Sequence, residues 1–155
     1  MTITLEAIEA QQSRITEMIA AFKAKPRATE YRIDAVTIPL APGERFAGAI
    51  LNDDGTLSHY LIKLPGEAES KGSWTAAQAY ASECGGEAPT LRELALMRTN
   101  LRDEFEDEAY WSAEAHETDS SYAWYQGFDN GYQSGTRKSA ALRAVAVRRF
   151  IPSVI

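Results

Sequence analysis

Tyr122, Trp124, Tyr125, Phe128 and Tyr132 set five aromatic rings within eleven residues, interleaved with Gln126, Asp129, Asn130 and Gln133. Rigid rings bring large contact area at small entropic cost, and neighbouring amides adapt their hydrogen bonds to what the rings touch. This is the chemistry of non-covalent recognition rather than of bond making. Strand alternation divides the set: if Trp124, Gln126 and Phe128 face one side, Tyr125 and Gly127 face the other. Trp124 and Phe128, with Trp111, are expected in the core. Tyr122, Tyr125, Asp129, Asn130, Tyr132 and Gln133 are the expected ligand-binding residues, joined by His116 from the loop before them.

The other reactive side chains fall in patterns that do less. His116 sits in Glu114-Ala-His-Glu-Thr-Asp, and Glu117, Asp119, Asp129 and Asn130 offer oxygens of the kind calcium takes, but without an ordered ligand spacing. No metal and no cofactor are expected. Cys84 is the sole cysteine, which rules out an internal disulfide and thiolate-rich zinc or iron–sulfur sites within one chain; a buried structural thiol is the expectation. His59 stands alone in a strand-like run, and no Gly-x-Ser-x-Gly or phosphate loop accompanies either histidine. The acidic run 103–108 reads as solvated surface. No catalytic residue is expected, and the chain is not read as an enzyme.

Hydrophobic residues make up 45% of the 155 and charged residues 25%, the balance of a folded domain rather than a disordered one. A formal charge of −6 works against a phosphate-neutralising surface, so direct nucleic-acid binding is not expected. No apolar run is long enough for a membrane span, and the opening Met1-Thr-Ile-Thr-Leu-Glu lacks a secretory signal's basic start. The expected location is the cytoplasm of the cell that makes the chain, or a particle released from that cell.

These residues need elements to hold them. Leu5, Ile8, Gln12, Ile15, Ile19 and Phe22 alternate in steps of three and four, which predicts an amphipathic helix over 5–25. Thr4 would cap it and Pro26 would stop it. The same six residues form a seam through which the helix would oligomerise, favouring three or four strands, with Gln12 fixing register. Packing of the stripe on the chain's own body is the other reading. Residues 1–27 therefore form the helix, 28–42 a proline-bearing linker with one short strand over 31–38, and 43–155 the domain proper. Within the domain, runs at 46–51 and 57–64 flank Asn52-Asp-Asp-Gly-Thr and predict a hairpin. Ser73 precedes a helix with Trp74, Ala77 and Ala81 on its buried face, ending at Gly85-Gly86. Thr90 and Glu93 have capping-box spacing at the head of a second helix, 91–102. Tyr110-Trp-Ser, Tyr122-Ala-Trp-Tyr-Gln-Gly-Phe, Tyr132-Gln-Ser and Ala144-Val-Ala-Val-Arg-Arg-Phe follow as four strand-like pieces, with Asp129-Asn130-Gly131 a tight turn. The order is α+β.

The helix after Trp74, the phrase Ala88-Pro-Thr-Leu-Arg-Glu-Leu, then Tyr110-Trp-Ser, Ala123-Trp and Ala144-Val-Ala-Val-Arg occur in an ordered series. That series resembles the Lcl C-terminal-like domain family over 43–150, with the leading helix outside the match. The resemblance implies a C-type-lectin-like domain with two helices and a mixed, mostly antiparallel sheet, of the kind carried by phages and prophages. Its relatives in shape are the variable proteins of diversity-generating retroelements and the formylglycine-generating enzymes. In the retroelement relatives the last strands and their loops contact ligand, which corresponds here to 111–136. Two departures stand out: Glu87-Ala-Pro-Thr replaces the family's Trp-Arg-Leu-Pro-Thr, and the cysteine pair of exported members is reduced to Cys84. Formylglycine chemistry needs such a pair. The implied function is a non-catalytic binding protein, phage- or prophage-encoded, recognising a protein or other ligand through its C-terminal aromatic and polar face. The alternative is an intracellular inhibitor or regulator of a host protein acting through an acidic surface.

Overall fold

The computed structural model describes residues 2–23 and 30–152. The chain falls into two compact units, Met1–Ala35 and Val36–Ile155. In the first, α1 runs Leu5–Lys23 with Glu6 in its first turn and Lys23 in its last, as the helix dipole favours. Thr4 Oγ1 accepts the Ala7 N–H at 3.2 Å. Pro26, expected to stop the helix, and the expected helix end at 24–25 lie outside the described residues. Within its own unit α1 buries none of its residues, so Leu5, Ile8, Gln12, Ile15, Ile19 and Phe22 are all exposed.

The second unit is α+β, with two separate three-stranded antiparallel sheets where one mixed sheet was expected. The first sheet pairs the hairpin strands β1 (Arg45–Leu51) and β2 (Leu57–Lys63) with the last strand, β6 (Val147–Phe150), in the order β1-β2-β6. The second consists of β3 (Ala109–Ala115), β4 (Tyr122–Gly127) and β5 (Gln133–Arg137) in sequence order. The strand expected over 31–38 is absent: residues 30–42 form no strand. Among the described residues no strand pairs with the 31–38 run, so its alternating pattern has no ladder to complete.

Between the sheets in sequence come α2 (Trp74–Glu83) and α3 (Leu91–Asn100), then a 3-10 turn at Arg102–Glu104. Ser73 caps α2 by accepting the Ala76 N–H, and Ala77 and Ala81 are its buried residues. Thr90 and Glu93 form the complete capping box at α3, whose Leu94 and Met97 turn inward. The main core gathers Ala47, Leu61, Leu94, Met97, Leu101, Phe105, Tyr110, Phe128, Val145 and Val147. Phe105 stacks on Phe128 at 4.1 Å, and Tyr110 presents its edge to both rings. A second cluster joins Ala77 of α2 to Trp111, Ala123 and Ala144. The sheet β3-β4-β5 therefore has α2 against one face of β3 and α3 against β3 and β4.

Candidate binding groove

The helix α3 and the turn from β4 to β5 flank a shallow, solvent-open depression of about 410 Å³. Burial of Leu94 and Met97 fixes the rotation of α3 and brings Ala95, Arg98 and Thr99 to the flank that lines it. The opposite wall is the turn. Gly131 donates its N–H to Gly127 O at 3.0 Å, Gly127 donates to Tyr132 O at 2.8 Å, and Asn130 Oδ1 accepts the Tyr132 N–H at 3.0 Å. Gly131 adopts φ +81°, where a side chain is strained, and a Cβ on it would also lie 3.0 Å from Arg98 Nη1.

Gln126 forms part of the lining and is only 1% exposed. Its Nε2 donates to Gly127 O at 2.9 Å, and its Oε1 accepts from Gln133 Nε2 at 2.8 Å. Gln133 Nε2 also donates to Leu91 O at 2.8 Å, so the pair of amides ties β4 and β5 to the start of α3. Arg98 Nε donates to Phe128 O at 3.2 Å. Among the described residues no carboxylate lies within ion-pair distance of the Arg98 guanidinium. Tyr132, which lines the same depression, is 72% exposed.

Of the residues expected to bind ligand, Tyr132 and Gln133 line this groove and Asn130 shapes its turn. The others do not converge on it. Tyr125 faces inward: it pairs across the ladder with Trp111 and packs against the Ala77, Trp111, Ala123 and Ala144 cluster. Trp124, expected in the core with Trp111 and Phe128, is only half-buried and takes the opposite face, where it stacks on His116 at 5.4 Å. The reason is register. Pairing Trp111 with Tyr125 sends Ala123 and Tyr125 together toward α2, where small residues permit close packing, and puts Trp124 on the other face, partly covered by His116 with its indole nitrogen buried. Tyr122 lies beside His116 at 6.4 Å, at the other end of β4 from the turn.

The His116 ring holds its own loop. Its Nδ1 accepts the N–H groups of Thr118 and Asp119, each at 3.2 Å. Asp119 in turn accepts from the Ser121 hydroxyl at 2.6 Å and the Ser121 N–H at 3.0 Å, bonds that hold its carboxyl below the usual range. Asp129 lines a different depression, of about 310 Å³, with Lys71, Asp107 and Glu108. Among the described residues no group of three or more His, Cys, Asp or Glu side chains could hold a metal ion.

His59 is not alone. Its Nε2 lies 2.7 Å from Glu93 Oε2, and its Nδ1 lies 2.9 Å from Ser58 Oγ. Glu93 is fully buried and also accepts Arg149 through both oxygens at 2.8 Å and the Thr90 N–H at 2.8 Å. A Ser–His–Glu chain invites a nucleophile reading. His59, Arg149 and the Thr90 N–H converge on this one carboxylate, and the cluster links β2, α3 and β6. Glu87 meets the outer side of Arg149. Cys84, expected to be buried, is exposed at the C-cap of α2, its N–H on Tyr80 O, because the helix ends there with its last residues turned to solvent. Sequence reasoning missed Arg98, Ala95 and Thr99. Their signal was the position of Arg98 one turn beyond Leu94 and next to Met97, at the border of a buried stripe.

No protein-family model matches the chain, and no curated protein matches it.

Proposed function

We propose that the chain is a non-catalytic binding protein that recognises a protein partner through the groove between α3 and the β4–β5 turn, and that it is a C-type-lectin-like domain of the phage or prophage type. The single observation carrying the reading is the groove itself. It joins an exposed aromatic, Tyr132, and an unpaired guanidinium, Arg98, on a wall made rigid by the Gln126–Gln133 amide pair. The order of hairpin, two helices, three strands and a last strand returning to the hairpin supports the lectin-like part. The Glu93 brace, with every oxygen lone pair engaged, supports a structural rather than catalytic use of His59. Exposure of the α1 seam supports self-association through Leu5, Ile8, Gln12, Ile15, Ile19 and Phe22, which would multiply weak sites into avidity.

The alternative, a host-protein inhibitor or regulator working through an acidic surface, draws on the net charge of −6. The most acidic run supports it little, since Arg45, Arg102, Arg143 and Lys71 pair with Asp103, Glu104, Asp107 and Glu108 inside the chain. The test is affinity capture from bacterial lysate with the tagged full chain and with a Tyr132→Ala/Gln133→Ala variant of unchanged fold. A partner retained by the wild type and lost by the variant is the expected result. Equal retention by both moves the interface elsewhere.

A further inference from the structure

The groove carries a more specific chemistry than an aromatic surface. Arg98 is held at two points: its Nε donates to Phe128 O at 3.2 Å, and Gly131 passes so close that a Cβ there would lie 3.0 Å from Nη1 and 3.1 Å from Cζ. A guanidinium fixed through Nε and packed against a turn keeps its Nη hydrogens as a preset fork, so little further rotamer freedom is lost when it meets a ligand. Several arginines that flank the core are spent within the chain, Arg149 on Glu93, Arg148 on Glu44, and Arg143 on Glu67 and Glu108. The exposed Arg92 and Arg137 lack an acid partner among the described residues as Arg98 does, without its fixed setting. Arg98 has no such partner among the described residues, in a chain with six more acids than bases.

We infer that the groove recognises a carboxylate presented by a protein partner, an Asp or Glu side chain or a chain terminus, with the Arg98 fork taking the two oxygens and the Tyr132 ring covering the flat group beside it. This rests on the binding reading above. A single planar cation fits one carboxylate bidentately. A nucleic-acid backbone needs several cations in a row, which the groove lining of Ala95, Thr99, Gln126 and Gln133 does not supply. The depression is shallow and open to solvent, so an acidic side chain can reach the Arg98 fork without entering a closed cavity.

The test is a titration of the isotope-labelled full chain followed through the Gly131 and Tyr132 backbone N–H and the Arg98 Nε–H signals. The probes are N-acetylglutamate α-amide, its uncharged N-acetylglutamine counterpart and inorganic phosphate. The glutamate probe should shift these signals saturably, the glutamine probe should not, and Arg98→Gln should weaken the glutamate effect about tenfold or more with the rest of the spectrum unchanged. Arg98→Lys, which keeps the charge and loses the fork, should fall between. Equal shifts from both amino-acid probes, or equal affinity in Arg98→Gln, would overturn carboxylate recognition while leaving the groove as a docking surface. Phosphate binding in place of the carboxylate would overturn it as well. Silence of all three probes at the groove would overturn it and, together with equal retention of partners by the Tyr132→Ala/Gln133→Ala variant, would remove the binding reading too.

Discussion

Glu93 illustrates how much one side chain can hold. Its oxygens serve His59 on β2, Arg149 on β6 and the Thr90 N–H at the head of α3. Removing a fully buried acid strands the charge it neutralised, so Glu93→Ala should cost about 3–5 kcal/mol in urea unfolding, somewhat less where the partly exposed Arg149 reaches water. Thr90→Ala, which leaves the ion pair intact, should cost only about 1 kcal/mol. Equal losses for the two would assign the effect to capping alone. The titrating groups give stability a limit on each side. Glu44 and Glu108 are held below the ordinary carboxylate range, Glu44 chiefly by its hydrogen bonds from Arg148 and Glu108 chiefly by those from Lys71 and Arg143. The unfolded chain therefore takes up these protons first, and the stability they add is full above the ordinary carboxylate range and lost as pH falls through the depressed one. Tyr110 has the opposite sign. Burial, then its hydrogen bond to Glu67 at 2.6 Å, raises its hydroxyl above the ordinary value of 10.0, so its contribution is full below that value and lost as pH rises beyond it. Tyr110→Phe should flatten the alkaline limb of a stability–pH curve and leave the acid limb in place; an unchanged alkaline limb would contradict this.

Among the elements, the parts written in local chemistry were legible and the parts decided by tertiary neighbours were not. Ser73 and the Thr90–Glu93 box mark both helix starts in sequence because a cap acts within one turn. The hairpin reads from its turn in the same way. Phe128 and Trp111 are buried as the sequence suggests, but Trp124 and Tyr125 are both only partly buried on opposite faces of β4, since an aromatic run such as Tyr122-Ala-Trp-Tyr fits either face and the outcome is set by the pairing of Trp111 with Tyr125 and by α2 beyond it. The interruption of that pairing between Trp111 and Ala115 has no sequence marker. Sequence reasoning missed the burial of Lys63 and the pairing of Arg149 with Glu93, the latter because its partner comes from another element. Lys63 Nζ donates to Leu64 O at 3.2 Å and Gly66 O at 2.9 Å. Close packing between elements gives a sharp test. A Cβ on Gly86 would lie 2.4 Å from Val147 O and 2.7 Å from Leu64 Cδ1, so Gly86→Ala should destabilise by about 1–3 kcal/mol, read as a lowered denaturant midpoint. A neutral substitution would mean that β6 and the end of α2 yield easily.

At the scale of the whole molecule, two features bear on how the chain works: the seam of α1 and the groove of the second unit. If the seam assembles copies, light scattering on the full chain should give a multiple of the monomer mass, and Ile8→Asp/Ile15→Asp should return it to monomer with the far-ultraviolet spectrum of the second unit retained. A monomeric wild-type chain at high concentration would end that part of the account. The groove was half legible: Tyr132 and Gln133 came from composition and spacing, whereas Arg98 lies over thirty residues earlier and joins them only through the fold. The most direct measurement is site-specific photocrosslinking in bacterial cells, with p-benzoylphenylalanine replacing Tyr132 or Thr99 in the groove, or Asp54 at the tip of the first hairpin. Crosslinked protein adducts at positions 132 and 99 and none at 54 are the result expected of a partner seated between α3 and the β4–β5 turn. Adducts at 54 alone, or equally at all three positions, would contradict it.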